Sequence, residues 1–480
     1  MDVDLRIYEH PILQFTRGKA VSFTFNNRRI RGYKGESIAA ALLAAGIKVF
    51  RRSMKLGRAR GFYCGIGKCS SCLMRVDGIP NVRTCIEPVR EGMVVETQTW
   101  EPDLPTTVEF DVKREKIDVD IAVVGGGPAG LEAAITASKL GAAVAIIDEN
   151  YKAGGQLIKQ THKFFGSVEA YAGVRGINIA KRLLSELRKA KVRWILGSSV
   201  FAHYAGSSES LLAYGGGCYY KIRAKKVIYS TGAMENMLLF PNNDLPGVYG
   251  AGGVQTIMNV YGVKPGNEAL IVGAGNVGLI LGYQLLQAGV RVRAVVEIMP
   301  KIGGYKVHAN KLMRQGVPIL TSHTIKEVHG KEWVESATIV EVDNNFNMIE
   351  GSEKRLDVDL VCIAVGLSPS IELPAQAGAK TSYIPELGGY VPIHDKFLKT
   401  SLENVYVAGD ASGIEEATTA MFEGRIAGAQ TSASLGYNVQ KAETIVDNTM
   451  HQLEMFRKSP FSSRVVKGKM KVFSMMGDLA

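Results

Sequence analysis

Four of the six cysteines in this 480-residue chain are crowded into one short segment. Their spacing, Cys64-x4-Cys69-x2-Cys72-x12-Cys85, supplies four thiolates from two loops. This is a spacing at which cysteines hold a [2Fe-2S] cluster. A four-cysteine zinc site usually pairs two short Cys-x2-Cys turns, so zinc is the less favoured alternative. The sequence therefore predicts an iron–sulfur centre.

A glycine-rich loop follows a predicted strand over residues 120–124 and precedes a predicted helix over residues 128–140. Its glycines suit a tight turn, close approach of the backbone to a pyrophosphate and close packing of the helix on the sheet. An acidic residue about twenty positions further on suits a ribose diol. The predicted nucleotide-binding residues are Gly125, Gly127, Pro128, Ala129, Gly130, Asp148 and Glu149.

The same order of strand, glycine loop, helix and strand recurs over residues 268–297, which predicts a second dinucleotide-binding unit. Glu297 at the end of its second strand favours a ribose 2′-hydroxyl over a 2′-phosphate, so NAD or ATP is favoured over NADP. A retained fold with an empty pocket is the alternative. The predicted residues are Gly273, Gly275, Asn276, Val277, Gly278 and Glu297.

Four further segments resemble motifs of flavoproteins with two dinucleotide-binding domains. Residues 400–410 resemble the second FAD motif, in which the aspartate binds the ribityl chain, and residues 229–233 and 363–366 resemble the two crossover segments. Residues 154–156 match the loop after the first acidic residue. The resemblance implies FAD at the first site and adds Gly155, Gln156, Thr231, Gly232, Gly409 and Asp410 to the cofactor-binding residues.

Nearly the whole chain resembles the FAD-containing α subunits of hetero-oligomeric amino-acid dehydrogenases and oxidases acting on proline, hydroxyproline, sarcosine or opines. The resemblance is specific at residues 52–61, 240–248 and 409–417. It implies that a catalytic FAD-containing β subunit oxidises the amino acid and that this chain handles the electrons. It leaves open further small subunits and an FMN at a subunit interface.

The functional hypothesis is an electron-transfer subunit that passes electrons from this partner through FAD and the cluster to an acceptor. No residue is assigned as a catalytic acid or base. The alternative is a self-sufficient NADH-dependent FAD/[2Fe-2S] reductase. Cys218 and Cys362 are interpreted as core thiols, and no Cys-x-x-Cys follows the first flavin loop, which argues against a thioredoxin-reductase-like enzyme.

These sites require an α/β fold with two Rossmann-like domains, preceded by a small β-rich ferredoxin-like domain. The predicted boundaries are 1–99 for the [2Fe-2S] domain and 100–117 for a linker. The FAD domain is expected to be discontinuous, over 118–250 and 355–440, with the second nucleotide domain at 251–354. A helical and basic tail over 441–480 would serve either docking or solvation.

Charge and hydropathy exclude several other classes. The formal net charge is +11, but the basic residues are spread along the chain, so nucleic acid is not an expected partner. One local concentration between Lys48 and Lys68 is expected to be a solvated, cofactor-facing or partner-docking face. Because no long apolar run and no signal peptide is apparent, we expect a cytoplasmic protein without a transmembrane segment.

Overall fold

A computed structural model of the protein describes residues 3–98, 112–206 and 209–478. These residues form two compact units. The first contains residues up to 98 together with 235–366, and the second contains residues 112–234 together with 367–478. The larger part of the predicted linker, residues 100–111, lies outside the described residues.

The N-terminal domain is built on a five-stranded sheet. Its first hairpin turns at Asn26 and Asn27, whose positive φ angles of 47° and 64° suit a tight turn. The buried helix Ile38–Ala44 begins where Ser37 Oγ accepts a hydrogen bond from the Ala40 amide at 3.2 Å. In spatial order the strands are Arg28–Tyr33, Ala20–Phe25, Val94–Glu96, Leu73–Val76 and Ile79–Arg83, with a separate pair at Arg51–Arg52 and Ala59–Arg60.

The second nucleotide domain contains a five-stranded parallel sheet and a three-stranded antiparallel sheet. The parallel strands, in order, are Val248–Gly250, Leu360–Ile363, Glu268–Val272, Arg291–Glu297 and Ile319–Thr321. The antiparallel strands are His323–His329, Ser336–Glu341 and Lys354–Leu356. The helices are Ala251–Gln255, Asn276–Gln287 and Lys306–Arg314, and the first of them continues as a π-helix over Thr256–Val260.

The N-terminal domain and the second nucleotide domain share one hydrophobic core. Phe62 packs edge-on against Tyr249 with 5.5 Å between ring centroids. A Cβ atom on Gly253 would lie 2.1 Å from the carbonyl oxygen of Tyr63, so only glycine permits this approach. Four of the basic residues between positions 48 and 68 also pair across this contact: Lys48 with Asp359, Arg52 with Glu332, and Arg58 and Arg60 with Asp244.

The second unit is built on a seven-stranded sheet. Its strands run in the order Val192–Leu196, Val144–Asp148, Lys113–Val124, Cys218–Tyr229, Glu209–Gly215 and Ser199–Tyr204, with Val405–Val407 also paired to Cys218–Tyr229. Its helices are Pro128–Leu140, Gly176–Lys189, Glu372–Gln376, Ala417–Ser434, Val439–Arg457 and Ser463–Gly477. Short strands at Thr381–Ile384 and Gly389–Pro392 form a separate pair, and the chain crosses between the units near Ala233–Glu235 and Leu367–Pro369.

Short 3₁₀ turns complete the described part of the second unit, at Gly155–Lys159, Pro385–Leu387, Gly409–Ser412 and Pro460–Ser462. The end of the chain, predicted as a helical tail, forms the last two helices. Val472 of the final helix packs with Ile384, Leu387 and Val391 in a small core of its own. None of the helices in the described residues is long and apolar enough to cross a membrane.

Candidate cofactor sites

The structure brings the four predicted cluster ligands into one site. Cys64, Cys72 and Cys85 are each at most 3% exposed, whereas Cys69 is partly exposed, and all four are free thiols. Cys64 hydrogen-bonds with Cys69 and Cys85, and Cys72 hydrogen-bonds with Cys85. The four sulfur atoms therefore form a continuous set of contacts.

The backbone around these thiols is shaped by glycine and donates to sulfur. Gly67 has φ 74°, and a Cβ atom there would lie 2.8 Å from Ile86 Cδ1. Its amide donates to Cys85 Sγ at 3.3 Å, and the Cys85 amide donates to Cys72 Sγ at 3.4 Å. Such N–H···S bonds stabilise sulfur ligands that carry negative charge.

The donor set fits a [2Fe-2S] cluster. Hydrogen bonds from neighbouring thiols lower the pKa of Cys64 and Cys72, while the same hydrogen bonds, burial and repulsion from adjacent thiolates raise the pKa of Cys69 and Cys85. All four can ionise together only around a positive centre, which the irons supply.

A cavity of about 180 Å³ opens beside the partly exposed Cys69. Arg51 lines this cavity and donates from Nε to the carbonyl of Ser71 at 3.2 Å and from Nη2 to that of Ser70 at 3.1 Å. The guanidinium therefore holds the backbone between Cys69 and Cys72. Met237 and Leu238 also line this cavity.

The first glycine loop leaves no room for side chains at two positions. Gly125 has φ 108°, and a Cβ atom there would lie 2.2 Å from the Ser230 carbonyl oxygen. A Cβ atom on Gly130 would lie 1.9 Å from the Gly125 carbonyl oxygen. Gly127 is the N-cap of the helix that begins at Pro128, and Ala129 is buried in its first turn. This is a backbone cradle at a helix N-terminus, as a pyrophosphate requires.

The first acidic residue after the loop, Asp148, hydrogen-bonds to the loop backbone. Asp148 Oδ2 accepts from the Gly126 amide at 2.5 Å, and Oδ1 accepts from the Asn150 amide at 2.7 Å. Burial raises the pKa of Asp148, and these donors partly offset that effect. Glu149 is half-buried and accepts from Ser199 Oγ at 3.4 Å. Asp148 thus stabilises the loop backbone in addition to its predicted ribose contact.

The neighbouring predicted segments contact the loop. The Gly154 amide donates to the Gly126 carbonyl at 2.8 Å, and a Cβ atom on Gly155 would lie 2.6 Å from Gly127 Cα. Gln156 is exposed. In the crossover segment, Ser230 Oγ donates to the Gly125 carbonyl at 2.9 Å, while Thr231 Oγ1 donates to Ser370 at 2.6 Å and Gly232 has φ 72°.

The second FAD motif lies beside the first helix turn. A Cβ atom on Gly409 would lie 2.9 Å from Ala129 Cβ, so this motif touches the glycine-loop helix directly. Asp410 lies in the 3₁₀ turn Gly409–Ser412 and accepts from the Glu415 amide at 3.4 Å. Burial raises the pKa of Asp410 to about 6. The pyrophosphate cradle and the predicted ribityl contact therefore share one site, which fits FAD.

The sequence reasoning missed the side chains that hold this turn. Glu423, 2% exposed in the helix Ala417–Ser434, accepts from the Gly409 amide at 3.0 Å and from Ser412 Oγ at 2.7 Å. Arg457 and Lys469 in turn contact Glu423. A sequence signal exists for Lys469, because Val465, Lys469 and Val472 fall on one helical face at i, i+4 and i+7.

The second glycine loop has the same backbone geometry as the first. Gly273 has φ 107°, and a Cβ atom on Gly278 would lie 2.1 Å from the Gly273 carbonyl oxygen. Glu297 Oε2 accepts from the Ala274 amide at 2.7 Å, as Asp148 does from Gly126. Gly275 is the N-cap of a helix that begins at Asn276, whose Oδ1 accepts from the Tyr305 amide at 2.8 Å, and Val277 is 39% exposed.

Residues 119–424 match the family model of the pyridine nucleotide-disulphide oxidoreductases, which is more than half of the chain. The chain belongs to the pyridine nucleotide-disulphide oxidoreductase family. Residues 18–100 match the model of a 2Fe-2S iron-sulfur cluster binding domain. The predicted α/β fold class is confirmed, and so are FAD and a [2Fe-2S] cluster as the cofactors of this oxidoreductase.

Relatives of this pyridine nucleotide-disulphide oxidoreductase confirm the resemblance found in the sequence. It is 24% identical to the alpha subunit of sarcosine oxidase from Corynebacterium sp. (strain P-1), over 89% of this chain and 45% of that protein. An opine oxidase subunit of Agrobacterium tumefaciens (strain Ach5) is 26% identical over 70% of each chain. L-proline dehydrogenase from P. horikoshii superposes with a TM-score of 0.69 and 26% identity, over 92% of this chain and 79% of that one.

The chain spans slightly less than half the length of the sarcosine oxidase subunits that it matches. In this family member the two remaining cysteines, Cys218 and Cys362, are buried, and burial raises the pKa of the Cys362 thiol. They lie in different units of the structure. Each is therefore a buried thiol within its own unit.

Proposed function

We propose that this chain is the electron-transfer α subunit of a hetero-oligomeric amino-acid dehydrogenase or oxidase. A separate flavoprotein subunit would oxidise the CH–NH group of a secondary amino acid of the proline, hydroxyproline or sarcosine class. This chain would receive the electrons and deliver them to an acceptor. A cytoplasmic location belongs to the proposal, since all six cysteines are free thiols.

The observation that carries the proposal is a complete set of four clustered thiols in a chain related along 89% of its length to a sarcosine oxidase subunit. Iron–sulfur clusters transfer electrons one at a time, so a full ligand set supports a role in electron transfer. The related sarcosine and opine oxidase chains are each named as one subunit of an oxidase. This favours the subunit over the self-sufficient reductase.

The protein's own contribution would be to bind and orient the cofactors. FAD, when bound, accepts electron pairs, and the cluster accepts single electrons. The loop over residues 125–130 would hold the pyrophosphate, and Asp410 the ribityl chain. The amides of Gly67 and Cys85 donate to cluster-ligand sulfurs and so would raise the cluster's reduction potential.

Two further sites belong to the proposal. The second glycine loop would hold an adenine nucleotide, either NAD or ATP, with Glu297 on the side of the ribose 2′-hydroxyl. The partly exposed Cys69, beside the cavity in the first unit, marks the cluster edge most accessible to a redox partner. An FMN at a subunit interface would require the partner chain.

The test is to purify the chain without a tag from its host, identify what co-purifies, and titrate the preparation anaerobically with L-proline, hydroxyproline and sarcosine, then with NADH. We expect an amino acid to bleach the flavin and cluster absorbance only when a second flavoprotein subunit is present. Bleaching of the isolated chain by NADH would instead establish a complete reductase and refute the proposal.

Cysteine variants of the same complex provide the matched control. Cys85→Ser removes a buried cluster ligand, so we expect loss of the cluster signal and of electron delivery to an external acceptor, with FAD content unchanged. Cys218→Ser alters a buried thiol of the other unit and should leave the cluster and electron delivery intact. Equal electron delivery by both variants would remove the cluster from the pathway.

A further inference from the structure

A lysine of the C-terminal helix is buried against the second FAD motif. Lys469 is 2% exposed, and its Nζ lies 2.9 Å from Glu423 Oε1. The same ammonium donates to Ser412 Oγ at 2.6 Å and to the Ser412 carbonyl at 3.1 Å. These three oxygens use all three of its N–H donors, as a buried ammonium requires.

Glu423 links this ammonium to the turn that carries Asp410. Its Oε1 contacts Lys469 and accepts from Arg457 Nη2 at 2.8 Å, while its Oε2 accepts from the Gly409 amide at 3.0 Å. Burial opposes ionisation of Glu423, but the positive charges of Lys469 and Arg457 outweigh it and hold its pKa at about 2. The turn is therefore fastened by an ionised carboxylate.

The position of the helix Ser463–Gly477 explains how a lysine reaches this depth. A Cβ atom on Gly468 would lie 2.7 Å from Leu387 Cγ, so the helix approaches its neighbour closely at that residue. Val472, one turn further along, is fully buried beside the same leucine. In contrast, Lys471 points outward and pairs with Glu386 at 2.6 Å while its side chain stays 43% exposed.

We propose that Lys469 is a positioning residue of the FAD site, which makes the C-terminal helix a structural part of that site. Its ammonium holds the Gly409–Ser412 turn directly, through Ser412, and indirectly, through Glu423. Both contacts fix the turn in the conformation that presents Asp410. The inference depends on FAD binding at the first site and not on which amino acid the complex oxidises.

The experiment compares Lys469→Met with Lys471→Met in the full-length chain, since both remove one positive charge from the same helix. Each protein is stripped of flavin, and its affinity for added FAD is measured from the quenching of flavin fluorescence. We expect Lys469→Met to weaken FAD binding by about tenfold or more, equivalent to ~1.4 kcal/mol. Lys471→Met should stay within about twofold of the unmodified chain.

A rescue variant separates positioning from general destabilisation. In Lys469→Met/Glu423→Gln the neutral amide no longer needs the ammonium, and its oxygen can still accept from the Gly409 amide. We expect the double variant to bind FAD more tightly than Lys469→Met alone, with a visible circular dichroism spectrum of bound flavin closer to that of the unmodified protein. If Lys469→Met does not fold, Ser412→Ala tests the same contact without removing a charge and should weaken FAD binding.

Equal FAD affinities for Lys469→Met and Lys471→Met would overturn the proposal. So would a double variant no better than Lys469→Met, or a Ser412→Ala variant with unchanged affinity. Because FAD binding is measured without amino acid, NADH or partner subunit, failure here is distinguishable from failure of the proposed electron-transfer function.

Discussion

The first and second glycine loops of this chain have nearly the same backbone but different surroundings. Gly125 and Gly273 have φ angles of 108° and 107°. A Cβ atom on the third glycine of the loop would lie 1.9 Å from a carbonyl oxygen at Gly130 and 2.1 Å from one at Gly278. Each loop also has one amide bonded to the acidic residue that ends the next strand. The shared fingerprint thus builds the same cradle twice.

The two loops differ in exposure at the second residue of the helix that follows each of them. A neighbouring glycine approaches each loop closely, since a Cβ atom on Gly155 would lie 2.6 Å from Gly127 Cα and one on Gly304 would lie 2.9 Å from the Asn276 nitrogen. Ala129 is 4% exposed and Val277, its counterpart, is 39% exposed. The start of the first helix is therefore enclosed by its neighbours, whereas the start of the second is open beside Val277. The difference shows that the loop sequence specifies the backbone geometry, while the neighbouring elements determine how enclosed the site is.

The largest effect should come from filling the third glycine position in each loop. Gly130→Val places a side chain against the Gly125 carbonyl, so we expect the purified protein to lose FAD, whereas Gly278→Val should retain it. Overpacking of this kind costs about 1–3 kcal/mol or more. The FAD-to-protein absorbance ratio, with circular dichroism as a check on folding, measures the outcome. Equal loss of FAD in both variants would contradict separate sites.

The next largest effect should come from the acidic residues. Asp148→Asn weakens two backbone hydrogen bonds at a buried carboxylate, so we expect a loss of about 1–3 kcal/mol in the free energy of unfolding and weaker FAD binding. Glu297→Gln, at a half-buried position, should leave FAD content unchanged and weaken nucleotide binding at the second loop instead. Isothermal titration calorimetry with NAD and with ATP measures this. If Glu297→Gln binds both nucleotides as the unmodified chain does, neither of them is the ligand of the second loop.

Acid should act on the first site through Glu423. Its pKa in the folded protein, about 2, lies below the ordinary value of 4.5, so its contribution to stability is present above pH 4.5 and is lost as the pH falls from 4.5 towards 2. By linkage that contribution is on the order of 3 kcal/mol. Urea unfolding at a series of pH values should show a shallower acid decline for Glu423→Gln than for the unmodified chain. Parallel curves would show that Glu423 is not the group responsible.

His394 also makes the free energy of unfolding fall with falling pH, but at a higher pH than Glu423, so its titration must be separated from that of Glu423. Burial lowers its pKa to about 4 from 6.5, so its neutral form contributes stability that is lost as the pH falls from 6.5 towards 4. The effect of Glu423→Gln should therefore be read below pH 4.5, where the carboxylate also titrates. Because the charge of Glu423 raises the pKa of His394, a difference between the two proteins confined to the range above pH 4.5 would point to His394 instead.

The smallest effect should come from substitutions at the second residue of the helix that follows each glycine loop. Val277→Ala removes a partly exposed side chain, so we expect a change of less than about 0.5 kcal/mol in the free energy of unfolding. Ala129→Val crowds a buried position that lies against Gly409, so it should reduce FAD content measurably. A large effect of Val277→Ala would show that the second loop is as enclosed as the first.

Local signals account for what could be predicted from the sequence. The helix Pro128–Leu140 has the predicted bounds, because proline suits its first turn and Gly141, with φ 112°, ends it. The four cysteines were predicted as ligands from spacing alone, and the structure brings their sulfur atoms into contact. The steric limit at Gly130 is local, because it comes from the Gly125 carbonyl, whereas the limit at Gly125 comes from Ser230, far along the chain.

Long-range partners could not be predicted. The basic residues Arg58 and Arg60 pair with Asp244, far along the chain, so neither their charge nor their spacing indicated that they join two domains. Helical periodicity places Lys469 on an apolar face, yet whether a lysine there is buried depends on finding Glu423 and Ser412 opposite it. Such pairing depends on tertiary packing, which brings together residues from separate elements.

The sequence by itself determined which cofactors this chain is built for, because cysteine spacing and glycine loops create their sites through local backbone geometry. Only the tertiary structure decided how those sites are supported. It joined the cluster domain and the second nucleotide domain around one core, and it packed one face of the C-terminal helix against the second FAD motif. Burial and charge pairing depend on the whole packed unit, so no local pattern contains them.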